Sequence, residues 1–182
     1  MILNYDEVLD ISGSDYQLHK DLEAKRFFKI EKGLYSDIEN PDILGILFKK
    51  YPRSVITLDY ALWSYELIQK EPDKVNLVTI KNDTRIHDKR VKQTFTEEEY
   101  LMIGASALEI EGELVYIYDV ERLLLETIKH RLKMDKDIYK EAINSFKLIK
   151  DKLNKNLIDD YLKYYRHREV IIQILEGEHI YD

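Results

Sequence analysis

SGSDYQLHKDLEAKRFFKIEKGLYSD, from Ser12 to Asp37, reads as a short capped helix, a turn and a two-stranded ribbon closed at Gly33. Ser14 stands as the helix N-cap. Gln17, three residues later, completes a capping box in which each side chain satisfies a backbone N–H that the helix leaves open. Leu18 and Leu22 share one face, while Tyr16, Lys20 and Glu23 point the other way. Phe27 to Ile30 alternates like a strand, Glu31-Lys32-Gly33 turns the chain, and Leu34 to Ser36 returns. A helix running directly into a basic hairpin is the layout of a recognition helix and wing. The same spacing also fits an ordinary α+β surface motif, a helix packed on a hairpin.

Working outward, Asn4 to Ile11 forms a short helix, with Asn4 and Glu7 at capping-box spacing. Asn40-Pro41 opens the next helix, because proline at the first helical position loses no hydrogen bond. Ile43, Leu44, Leu47 and Phe48 make its apolar stripe, and it stops before Tyr51-Pro52. A further helix starts near Thr57, carries Leu58, Ala61, Leu62 and Tyr65 on one side, and ends at Glu71-Pro72. From Val75 the period changes to two. VNLVTI reads as a strand, and residues 106–118 as a hairpin turning at Glu111-Gly112. Asp119 caps a long helix to about Leu132, and everything beyond Asp135 is helical: around Ile138 to Ile149, around Leu157 to Leu162, and from Glu169 to Leu175. The expected class is α+β: an N-terminal winged-helix-like module over residues 1–37, then a mixed α/β domain with C-terminal helices over 38–182.

The composition narrows the function. A chain of 182 residues with 45% hydrophobic content can bury a core. No stretch reaches the roughly 18 apolar residues of a membrane span, and MILNYDEVLD lacks the charged and apolar regions of a signal peptide. A cytoplasmic protein without membrane partners is expected. With no cysteine, thiolate nucleophiles, disulfides and thiolate metal sites are excluded. The net charge is −7, yet Lys20 to Lys32 holds five basic residues against three acidic ones, and Lys81 to Lys92 five against two. Such patches can contact phosphates locally or be ordinary solvated faces.

Enzyme signatures are missing. The six glycines form no phosphate-cradling loop, the five histidines show no metal spacing, and no G-x-S-x-G elbow occurs. Gly13-Ser14 matches the start of a nucleotidyltransferase motif, but no metal-binding pair of aspartates follows on a strand. No catalytic residue, metal or cofactor is expected. Among the tyrosines, Tyr65, Tyr118 and Tyr161 fall at apolar-face positions and read as core edge. Glu121 suits the first turn of its helix, where the dipole favours an acid, and Arg122 can bond a neighbouring carboxylate or carbonyl.

Taken in order, these segments resemble the AbiEi family of antitoxins, repressors of bacterial abortive-infection (phage-defence) toxin–antitoxin systems. FFKIEKGLYSD looks like the family's wing, SVITLDYALWSYEL and VNLVTIKND like the segments that follow, and YIYDVERLLLETI like its D-x-E-R-T-L-x-D signature at Asp119, Glu121, Arg122 and Leu124. Leu123 and Glu126 stand where the family usually has threonine and aspartate, and only Met1 to Leu3 precede the first helix. The resemblance implies a DNA-binding transcriptional regulator that represses its own operon and neutralises a nucleotidyltransferase-like toxin.

On that reading Tyr16, Gln17, His19 and Lys20 lie toward the major groove, and Lys29 and Lys32 reach phosphates from the wing. The polar stretch KNDTRIHDKRVK is an exposed loop, and Arg85, Lys89 and Arg90 in it are the toxin-facing candidates. Two alternatives stand beside this: a regulator without a toxin partner, and a protein-interaction module that does not touch DNA. The second follows from residues 1–36, which hold five basic and seven acidic side chains.

Overall fold

The computed structural model describes residues 1–180. It is a mixed α+β fold with two sheets and, among the described residues, eight α-helices. The chain divides into two compact units, Met1–Arg53 with Ala107–Val115, and Ser54–Ser106 with Tyr116–Asp182.

The first unit runs β1 (Ile2–Asn4), α1 (Tyr5–Ser12), α2 (Asp15–Glu23), β2 (Phe28–Glu31), β3 (Leu34–Ser36) and α3 (Ile43–Lys50). Its strands form an antiparallel sheet in the order β1-β3-β2. The short β1 has no sequence signal of its own; it aligns Ile2 with Ser36 and Asn4 with Leu34. In the hairpin, Phe28 faces Ser36 and Glu31 faces Leu34, so Lys32-Gly33 is a two-residue turn. Gly33 there has φ +76, a conformation in which a Cβ would be strained. Strand alternation gives the sheet two apolar faces. Leu3 and Tyr35 pack with Val8 of α1, Leu18 of α2 and Phe27, whereas Ile2 and Leu34 pack with Ile46 of α3. A sheet apolar on both sides needs cover on both. That is why this compact unit continues past residue 37 to include α3.

Local signals were mostly obeyed. The Asn4–Glu7 box closes in both directions, at 2.9 and 2.7 Å. The Ser14 box is half made: Ser14 Oγ accepts from the Gln17 N–H at 3.2 Å, but the Gln17 amide donates to Asp21 at 3.1 Å. Asp21 is buried and also accepts from Ser12 at 2.8 Å, so a charge-assisted bond holds the Gln17 side chain at this carboxylate and the box closes in one direction only. These hydrogen bonds, that of Ser12 foremost, hold the Asp21 carboxyl below its ordinary pKa. The helix expected to open at Pro41 starts instead at Ile43, because Asp42 caps it by accepting from the Leu44 N–H at 2.7 Å. Its buried face is accordingly Gly45 to Phe48, and Ile43 is exposed.

The second unit contains β4 (Val55–Ile56), α4 (Leu58–Ser64), β5 (Val75–Ile80), β6 (Val91–Thr96), β7 (Ala105–Ile110), β8 (Glu113–Tyr118), α5 (Val120–His130), α6 (Lys136–Ile149), α7 (Lys155–Leu162) and α8 (Arg168–Gly177). The outer part of the β7–β8 hairpin, residues 107–115, belongs to the first unit. Five strands pair in the order β6-β5-β4-β8-β7. VNLVTI is buried at every position, as a strand covered on both faces must be. α4 stops at Ser64, well short of Glu71-Pro72, and Glu66 just after it takes a left-handed conformation. The helices after Asp135 form where the periodicity places them. Among the described residues, no helix is long and apolar enough to cross a membrane.

One strand is unexpected. β6 runs parallel to β5, pairing Val75 with Val91 through Ile80 with Thr96. Residues 81–90 are therefore a crossover that must return along the strands, not a turn. About 33 Å of chain is available for a strand of roughly 20 Å, so no helix is needed to make the connection.

Candidate functional site

In the first unit, α2 places Tyr16, His19 and Lys20 at i, i+3 and i+4, on one exposed face. Tyr16 is 69% exposed, and Lys20 Nζ lies 4.5 Å from its ring centroid, a cation–π contact. Gln17 is half-buried with its amide committed to Asp21, so it is less available than its helix neighbours. Lys29 and Lys32 are exposed on the β2–β3 hairpin. The six residues thus come from the two elements expected, with Gln17 held back by an intramolecular bond.

Arg85, Lys89 and Arg90 all lie in the crossover between β5 and β6. Gln93 pins that segment: its Oε1 accepts from the Ile86 N–H at 2.8 Å, and its Nε2 donates to Thr79 at 2.7 Å. Arg85 and Lys89 are exposed. Arg90 instead makes a bidentate pair with Asp88 at 2.9 and 2.7 Å, which orders the end of the crossover before β6 begins.

A dense buried polar arrangement lies elsewhere, around Arg122 in α5. Arg122 is 2% exposed. Its guanidinium carbon lies 5.0 Å from the ring centroids of both Tyr118 and Tyr165, and Nη2 donates to Glu126 Oε1 at 3.1 Å. Glu126, also buried, accepts in addition from Tyr165 at 2.8 Å and from Lys129 at 3.0 Å, with His130 Nε2 3.4 Å away. Burial opposes its charge, but His130, Lys129, Arg122 and Tyr165 together hold the carboxyl well below the usual carboxylate range. Burial next to that carboxylate pushes the Tyr165 hydroxyl well up. Arg122 Nε and Nη1 find no acceptor among the described residues. Two unmatched donors on one buried cation are unusual, because each costs desolvation that a partner would offset.

Arg122 and Lys129 line a cavity of about 800 Å³, which lies wholly within the second unit. Its other walls come from Lys81, the end of β6, the 3₁₀ turn Glu98–Tyr100, and the chain around Tyr164 to Ile171. The Tyr100 and Tyr164 rings there lie 5.4 Å apart, tilted at 51°.

The sequence offered Arg122 a neighbouring carboxylate or carbonyl without singling out Glu126 as its partner, and it gave no sign of Tyr165, Lys163 and Arg166. The Arg122/Glu126 spacing of four was a usable sign of pairing. Its burial was not legible, since the covering tyrosines come from β8 and from the turn after α7. Among the described residues, no group of three His, Asp or Glu side chains is placed to hold a metal ion. Compared with models of protein families and with curated proteins, the chain matches none.

Proposed function

We propose that the first unit carries a winged-helix DNA-binding module and that the protein is an antitoxin-type repressor of its own operon, without catalytic activity. The observation that carries this reading is the order β1-α1-α2-β2-β3 with sheet order β1-β3-β2, in which an exposed basic–aromatic helix face precedes a lysine-bearing hairpin. Tyr16, His19 and Lys20 enter the major groove, Lys29 and Lys32 contact phosphates, and Gln17 joins only by releasing Asp21. The acidic balance of the chain suits a protein whose DNA contact is confined to this local surface.

Titrating the protein onto DNA from upstream of its own gene, at several salt concentrations, tests the module. Lys32→Ala should weaken binding similarly on all sequences and reduce the slope of log affinity against log salt by about 0.9. An unchanged slope removes the wing from the interface. The excess of acid over base in residues 1–36 favours a second reading, a module that binds protein only. Toxin neutralisation retained with no DNA binding at low salt would select it.

For the nucleotidyltransferase-like toxin, Arg85 and Lys89 are the proposed contacts, arginine being suited to bidentate pairing with active-site carboxylates. Arg90 contributes by holding the crossover through Asp88. Replacing Arg85 and Lys89 with alanine should abolish rescue of toxin-expressing cells while leaving the circular dichroism spectrum unchanged. Full rescue by that variant places the interface elsewhere.

A further inference from the structure

The geometry points to a small-molecule site in the second unit: we infer that the cavity beside Arg122 binds a nucleotide. Three independent features converge on it. First, its volume of about 800 Å³ is that of a small-ligand site. Second, its charge opposes that of the chain. Lys81, Arg122, Lys129, Arg131, Lys163 and Arg166 line it against Glu97 and Glu99, leaving an excess of two positive charges even when Glu126 and Asp160, the partners of Arg122 and Lys163, are counted. On a protein of net charge −7, such a concave concentration of cations focuses the field and selects an anion.

Third, Arg122 is an almost fully buried cation at the cavity wall, its charge offset by Glu126 alone and two of its nitrogens without an acceptor among the described residues. The Tyr118 and Tyr165 rings each lie 5.0 Å from its guanidinium carbon. Nε and Nη1 have almost no accessible surface, so the phosphates meet the exposed cations Lys129, Lys163 and Arg166, and Arg122 acts on them through its field.

The anion carries a ring. Phe95 and Tyr164 line the same cavity while 37% and 41% exposed, and Tyr100 packs against Tyr164. Exposed aromatic surface next to phosphate-binding cations offers a base a stacking platform. Phosphates settle toward Lys129, Lys163 and Arg166, and the base lies against Tyr164 and Phe95. The site uses none of the residues proposed to contact DNA or toxin, so its failure leaves those readings untouched.

Calorimetric titration of the full chain at low salt, with ATP, GTP, CTP and UTP, the matching nucleosides and inorganic phosphate, tests the site. At least one triphosphate should bind about tenfold or more tighter than inorganic phosphate and than its nucleoside. Lys163→Ala/Arg166→Ala and Tyr164→Ala alter exposed side chains, so the fold should survive, and each should weaken that binding by about tenfold. Absence of triphosphate binding overturns the inference. So does equal binding of inorganic phosphate, which removes the base, or binding that neither variant changes, which moves the ligand elsewhere. A single-stranded oligonucleotide that displaces the nucleotide at equal molar concentration also overturns it, in favour of a nucleic-acid strand.

Discussion

Glu126→Ala should destabilise the second unit by about 3–5 kcal/mol, the range seen when one partner of a buried ion pair is removed. The carboxylate serves Arg122, Lys129, His130 and Tyr165 at once. Without it Arg122 stays buried with only ring faces for company, and the Tyr165 hydroxyl loses its acceptor. The change should appear as a lower urea midpoint with an unchanged slope, since the surface exposed on unfolding is the same. Loss of less than about 1 kcal/mol would mean that the pair is solvated and not the anchor it resembles.

The pH dependence has a definite sign. The Glu126 carboxyl is held below its ordinary value of 4.5, so its contribution is complete above that pH and is lost as the pH falls below it. Glu126→Gln should therefore be less stable than the native chain at neutral pH, with the gap narrowing as the pH drops below 4.5. A gap that stays constant down to the acid transition would remove Glu126 from the linkage.

What the sequence disclosed and what it hid divide along a physical line. Features set by neighbours in the chain were legible. Asn4 and Glu7 cap α1 as expected, Lys32-Gly33 turns the hairpin, and Asp119 caps α5 by accepting from the Arg122 N–H at 2.7 Å. Features set by competition between distant groups were not. Gln17 had an equally local partner in Asp21, and donating its amide N–H there leaves the Ser14 box closed in one direction only. β6 reads VKQTFT, with only Val91 and Thr96 buried, so its apolar signal is faint. The alternation of valine, glutamine and phenylalanine was the cue available. At the edge of the sheet, polar residues are what protects a strand from pairing with another chain. The basic residues of the cavity scatter over 81–166, and no spacing rule joins them.

Gly104→Ala should cost about 3 kcal/mol, although nothing in its sequence context, MIGAS, marks it. Two penalties combine there. The residue has φ +71, where a Cβ costs roughly 1–2 kcal/mol. The added carbon would also lie 2.8 Å from Arg122 Cβ and 3.1 Å from Tyr161 Cζ, and overpacking adds about 1–3 kcal/mol. Neither neighbour can yield freely. Arg122 Cβ is fixed by the backbone of α5, and the Tyr161 hydroxyl donates to Asp119 at 2.7 Å. The Gly104 carbonyl itself accepts from the Asp119 N–H at 2.7 Å, so a shift there disturbs the cap of the same helix. Gly13 and Gly33 supply the control: both have positive φ, but an added Cβ would meet nothing within 4 Å. Alanine at either should cost only the conformational part, about 1 kcal/mol. Urea unfolding of the three variants separates the terms. Equal losses at all three would show that the close approach of Gly104 to Arg122 contributes nothing, whereas a clear excess at Gly104 assigns the difference to its contacts with Arg122 and Tyr161.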